Sequence, residues 1–90
     1  MDINTIGIVG AGQMGNGIAH VMALAGYKIL LNDISDEALE GAMQNMSRNM
    51  ERQVARGKIT EDDRGASLDR IVTTTTLTDL GQSDLIIEAA

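Results

Sequence analysis

Residues 7–20 read GIVGAGQMGNGIAH and hold five of the chain's ten glycines. Glycine loses more backbone freedom on ordering than any other residue, so such a cluster needs a reason. Apolar residues flank it on both sides, which rules out a flexible linker. Before it, Asn4–Val9 (NTIGIV) is apolar and β-branched and reads as a buried strand. After it, Gly17, Ile18, Val21, Met22 and Ala25 recur at helical spacing from Gln13 onward, and Gly26 stands where a helix ends. The glycines therefore join a strand to a helix.

Within this joint Gly10, Gly12 and Gly15 form G-x-G-x-x-G. Each glycine has a mechanical task in a dinucleotide site. Gly10 turns the chain out of the strand, Gly12 leaves the backbone bare for a diphosphate, and Gly15 lets helix and strand pack closely. The amides of the first helical turn, around Gln13 and Met14, then offer donors and a partial positive charge to an anion. Gly17 is expected to thin the helix against the sheet and is given no ligand. Asp33 follows Gly10 by 23 residues, at the end of a second strand, Tyr27–Asn32. A carboxylate there accepts from both hydroxyls of the adenosine ribose and repels a 2′-phosphate. Ile34 follows instead of an arginine, so NAD is expected over NADP. The competing reading is that the glycines serve helix packing alone and Asp33 caps a loop.

Further on, Ser35 or Asp36 starts a long helix, with Asp36 and Glu37 near the positive end of its dipole. Leu39, Met43, Met46, Met50 and Val54 form one helical stripe, and the helix runs to about Arg56 before Gly57. Thr60 and Asp63 cap a short helix to about Asp69. Ile71–Thr75 and Asp84–Ala89 read as strands, with a turn at Thr78–Ser83 between them. The order β-α-β-α-α-β-β predicts an α/β fold: a Rossmann-type parallel sheet with helices on its faces, the first half of a doubly wound fold, with a helical hairpin between the second and third strands. A doubly wound sheet has a second half of similar size. The 90 residues are therefore read as the N-terminal part of an NAD-binding domain, the alternative being a partner chain that completes the sheet.

Composition narrows the partners. Thirteen acidic against seven basic residues give a net charge of −6, which argues against nucleic acid. With one tyrosine and neither phenylalanine nor tryptophan, a flat ligand would be gripped by aliphatic side chains and backbone. There is no cysteine, so thiol catalysis and thiolate metal sites are excluded, and no metal site is read elsewhere. The start, MDINT, lacks the pattern of a signal peptide, and the longest apolar run, Val21–Ala25, is too short to span a membrane. A cytoplasmic location is the resulting expectation.

The stretch IGIVGAGQMGNGIAHVMALAGYKILLND, the long helix, RGKI and DLIIEA together closely resemble the N-terminus of the NAD-dependent 3-hydroxyacyl-CoA dehydrogenases, nearest the 3-hydroxybutyryl-CoA subgroup. The resemblance covers nearly the whole chain. It implies oxidation of the 3-hydroxyl of an acyl-CoA by NAD, using a His–Glu pair, with Ser and Asn, that lies beyond the fourth strand. No catalytic residue is thus assigned here. It also implies a helical C-terminal domain and a homodimer. By the same resemblance Ala89 and Ala90 line the cofactor's diphosphate and nicotinamide ribose, and Arg52, Arg56 and Lys58 meet the phosphates of coenzyme A. Arg48, Arg52 and Arg56 repeat every four residues, and a solvated basic face with neighbours such as Glu51 explains them equally well. His20 is read as structural or at the surface, and Glu88 as bonding a nearby loop or lining the site. Two further readings remain beside the resemblance: another Rossmann dehydrogenase acting on a free hydroxy acid, and a non-catalytic nucleotide-binding module.

Overall fold

The aliphatic runs of this sequence become four parallel strands, in a computed structural model that describes residues 2–90 and so leaves Met1 outside. In chain order the elements are β1 (Thr5–Val9), α1 (Gln13–Leu24), β2 (Lys28–Asn32), α2 (Asp36–Ala55), α3 (Glu61–Asp69), β3 (Ile71–Thr74), a 3₁₀ turn (Leu77–Gln82) and β4 (Leu85–Glu88). The sheet order is β3-β2-β1-β4. Ile8 sits beside Leu31 on one side and Ile87 on the other. The chain thus winds outward from β1 to β3, then returns to the opposite side of β1. That reversal opens a crevice beyond the carboxyl ends of β1 and β4, where doubly wound sheets bind ligands.

The core lies between the sheet and the three α-helices. Ile6, Ile8, Ile29 and Leu31 point to this side and are buried against Ala19, Ala23, Leu39, Ala42 and Met46. Each fully buried Ile or Leu contributes about 1.5–3 kcal/mol over an exposed one. The helices are expected on both faces of the sheet, yet all three lie on one. The opposite face is covered by the 3₁₀ turn alone among the described residues. There Leu80 is buried, and a side chain on Gly7 would meet Ser83 Oγ at 2.7 Å and Leu80 Cγ at 3.0 Å. The physical reason is handedness: crossovers wound the same way before the reversal deposit their helices on one face. Leu85 and Ile86 of β4 remain 42% and 52% exposed.

Local signals set the helix ends. The Ser35 hydroxyl accepts from Ala38 N, and Thr60 and Asp63 form a reciprocal capping box at α3. Gly26 and Gly57 take φ of +105° and +70° just past α1 and α2, as chain reversals there require. On α1 the observed face differs from the expected one. Gly15, Asn16, Ala19 and Ala23 are buried, whereas Val21 is 62% exposed. Gly17 is exposed, and a Cβ there would meet nothing within 4 Å, so it does not thin the helix against the sheet. The small residues go inward because α1 lies close to β1 and β2; bulkier Val21 and Met14 turn out.

Three aspartates hold backbone amides, which depresses their carboxyl pKa values below 3.8. Asp84 accepts from Asn4 N and Thr5 N, Asp63 from Thr60 N, and Asp33 from Ala11 N and Ser35 N. A carboxyl with a lower pKa folded than unfolded confers stability above its unfolded value, and this stability is lost as pH falls through the folded value. The urea midpoint is therefore expected to stay level from neutral pH to about pH 5 and to fall steeply below about pH 4. Asp84→Asn is expected to lower the neutral-pH midpoint and flatten the acid limb. An unchanged acid limb in that variant would count against this clamp.

Candidate dinucleotide site

Across the carboxyl ends of β2, β1 and β4 the chain forms a cleft of about 300 Å³, lined by Val9, Gly10, Asn32, Asp33, Ile34 and Ala90. Gly10 has φ +104° and donates its amide to Asn32 O at 2.7 Å. A side chain on it would strike the Ala89–Ala90 backbone at 2.9–3.0 Å. Its hydrogen thus permits both the turn and the close approach of the chain after β4. Gly15 would place a Cβ against the Gly10 carbonyl, whereas a Cβ on Gly12 would meet nothing within 4 Å. The three glycines therefore divide the work as their spacing predicts: turn, bare surface, close packing.

α1 starts differently from the other two helices. α2 and α3 have side-chain caps and acidic first turns; α1 begins at Gly12 with no side-chain cap and no acidic residue in its first turn. The amides of Gln13 and Met14 are consequently left to solvent or to an anion, and no acidic residue of the helix itself offsets the positive end of its dipole. In a chain of net charge −6 this is the one α-helix whose own first turn carries no acidic residue.

Asp33 stands one residue beyond β2. Its Oδ2 accepts from Ala11 N at 2.9 Å and its Oδ1 from Ser35 N at 3.0 Å. The Ala11 amide, and after it that of Ser35, hold the carboxyl below the usual aspartate range, so it is ionised at neutral pH. Ile34 beside it is 94% exposed. Two residues without a sequence-based assignment support the cleft. Asn32 is buried, receives the Gly10 amide and donates its side-chain amide to Thr74 O at 3.1 Å. Ala11 supplies the amide that Asp33 holds. Asparagine at a strand end was the only available sign of the first, and nothing in an alanine marks the second.

The remaining candidates lie elsewhere. His20 bonds Gln53 Oε1 at 2.7 Å and ties α1 to α2 away from the cleft. Glu88 accepts from Ala90 N at 3.0 Å. Arg52, Arg56 and Lys58 are exposed at the far end of α2, whose 20 residues put about 30 Å between its termini. Arg52 bonds Asn49 Oδ1. The one ion pair among the described residues is Arg64–Glu61 on α3, so neither Glu51 nor another carboxylate forms a direct ion pair with Arg52, Arg56 or Lys58. No helix among the described residues is long and apolar enough to cross a membrane, and no cluster of three metal-ligating side chains is present among them.

A parallel β3-β2-β1-β4 sheet with a glycine turn, an uncapped helix start and a strand-end carboxylate at its reversal point is a Rossmann-type dinucleotide-binding domain. Comparison with known proteins places it further. Residues 5–90 match the family described as 3-hydroxyacyl-CoA dehydrogenase, NAD binding domain, and the chain belongs to that family. It is 48% identical over 88 residues to the 3-hydroxybutyryl-CoA dehydrogenase of Bradyrhizobium diazoefficiens, covering 98% of this chain and 30% of that one. The crystal structure of 3-hydroxybutyryl-CoA dehydrogenase from Escherichia coli K12 superimposes with a TM-score of 0.97 at 39% identity, over all of this chain and 19% of that one. That of (S)-3-hydroxybutyryl-CoA dehydrogenase from Ralstonia eutropha gives 0.96 at 42% identity, over 99% of this chain and 31% of that one. The chain thus spans less than a third of the length of these relatives. NAD is the cofactor of the family.

Proposed function

We propose that this chain is the cofactor-binding part of an enzyme that oxidises the 3-hydroxyl of a 3-hydroxyacyl-CoA, with 3-hydroxybutyryl-CoA as the substrate class, to the 3-ketoacyl-CoA. NAD accepts the hydride when bound. The observation that carries the reading is an uncapped helix start whose preceding turn is held, at Ala11 N, by an ionised carboxylate at the next strand end. In this reading Gly10, Gly12, Gln13, Met14 and Gly15 hold the diphosphate by backbone. Asp33 receives the adenosine ribose, with Ile34 against the adenine side. Ala89 and Ala90 form the opposite wall toward the nicotinamide ribose. The groups that remove the hydroxyl proton, the helical C-terminal domain and the homodimer are supplied by the rest of the enzyme. A cytoplasmic setting fits a chain without cysteine.

Arg52, Arg56 and Lys58 are proposed to meet the phosphates of coenzyme A. Their freedom from ion pairs supports this, since a merely solvated basic face would be expected to pair with Glu51. The test uses the whole enzyme. NADH is expected to form with 3-hydroxybutyryl-CoA and not with free 3-hydroxybutyrate; the reverse preference would overturn the acyl-CoA assignment. Arg56→Ala with Lys58→Ala is expected to raise KM for the acyl-CoA about fivefold, as two exposed charge contacts of about 0.5 kcal/mol each imply. The NAD affinity is expected to stay unchanged. An unaltered KM would remove the hairpin from the substrate site.

A further inference from the structure

The carboxylate of Asp33 is already engaged without any nucleotide: each oxygen holds a backbone amide, one in the glycine turn and one at the approach to α2. A group whose task ended at the ribose would need neither bond. Ala11 lies between Gly10 and Gly12, so the amide that Asp33 holds is flanked by the two most deformable residues of the turn. Gly10 is fixed on its other side by Asn32 O. Gly12 is tied to the helix through its carbonyl, which accepts from Asn16 N at 2.9 Å, but its surroundings are open and no side chain caps the helix it begins. Asp33 is therefore the side chain that holds the second half of the turn.

We infer that Asp33 is also a positioning residue for the diphosphate: by gripping Ala11 N–H it keeps the Gly12–Met14 backbone in the shape that receives phosphate oxygens, so the ribose and diphosphate subsites share one carboxylate. The inference rests on the cofactor reading above and adds a role that does not involve the ribose. Each carboxylate oxygen can accept more than one hydrogen bond, so the grip on Ala11 and a bond to a ribose hydroxyl are compatible. Holding the turn in advance spares the ligand the ordering of a glycine-rich segment, which is how preorganisation raises affinity. An asparagine keeps one acceptor but must turn its NH₂ toward one of the two amides. Since two donors cannot pair, Asp33→Asn releases either Ala11 or Ser35.

The experiment compares ADP with 2′,3′-dideoxy-ADP, which keeps the diphosphate and lacks both ribose hydroxyls. Asp33→Ala releases both amides, and in it ADP is expected to bind about a hundredfold more weakly and the dideoxy compound about tenfold more weakly. If the carboxylate served the ribose alone, the dideoxy affinity would stay within about twofold of the unmutated protein, and the positioning role would be overturned while the cofactor site stood. If the unmutated protein bound neither nucleotide, both would fall. A second measurement needs no variant. In the unmutated, ligand-free protein the Ala11 amide proton resonance is expected to follow the titration of Asp33, with a midpoint below that of an ordinary aspartate. A flat Ala11 resonance across that titration would overturn the inference.

Discussion

Gly15→Ala is expected to destabilise the fold by about 3 kcal/mol and to weaken NAD binding about a hundredfold. The added Cβ would stand on the carbonyl oxygen of Gly10 and 2.9 Å from that carbonyl's carbon, with Ile8 Cγ2 at 3.4 Å. The obstacle is backbone, not the end of a flexible side chain, so relief requires α1 to lift from β1 or the turn to change its path. Either movement also carries the Gln13 and Met14 amides away from where a diphosphate would sit, which is why stability and affinity fall together. Gly17→Ala, two residues along the same helix, meets nothing within 4 Å and is expected to stabilise by about 0.5–1 kcal/mol with NAD affinity intact. Gly12→Ala separates the two effects: its Cβ projects into open space, so folding is expected to hold while NAD affinity falls. Urea unfolding and calorimetric titration of the three variants check the set. A Gly15→Ala protein with normal stability and affinity would show that helix–strand approach is not what this glycine provides.

These contrasts mark where sequence reasoning is strong and where it stops. Features encoded in one residue or in neighbours a few positions apart are legible. Examples are the Thr60–Asp63 box, the Ser35 cap, Gly57 after α2, the triple glycine and a carboxylate at the second strand's end. The stripe on α2 is also legible, since Leu39, Met46 and Met50 are buried while the arginines opposite are exposed. What fails depends on which partner an element meets. α1 is small or apolar nearly all round, so periodicity alone does not choose its inner face, and Gly15 and Gly17 look alike until β1 is placed against one of them. Gly7 carries no signal of its own within the strand, yet its missing side chain admits Leu80 and Ser83 from more than 70 residues away. The amides held by Asp33 are invisible for the same reason: a backbone donor carries no signature in the residue it belongs to.

Replacing Asp33 by alanine is expected to erase the preference for NAD over NADP by acting on the two cofactors unequally. For NAD the variant loses charge-assisted bonds to the ribose hydroxyls and the grip on Ala11. The expected loss is about 3 kcal/mol, or about a hundredfold in affinity. For NADP the same slackening of the turn is offset by removal of the like-charge repulsion between the carboxylate and a 2′-phosphate, so its affinity is expected to change by no more than a few fold. The repulsion is present at neutral pH because Asp33 is ionised there, its carboxyl held below the ordinary aspartate value by the Ala11 and Ser35 amides. Ile34 projects almost wholly into solvent beside it and supplies no positive charge, so the variant gains no strong NADP affinity of its own. Adding Ile34→Arg to Asp33→Ala places a guanidinium where the 2′-phosphate would lie, and NADP is then expected to bind more tightly than NAD. Calorimetry at one fixed ionic strength measures all of these, because both the repulsion and its reversal are screened by salt. Equal affinities of the unmutated protein for NAD and NADP would refute the assignment of Asp33 to the ribose, since an ionised carboxylate at that sugar cannot be indifferent to a phosphate on it.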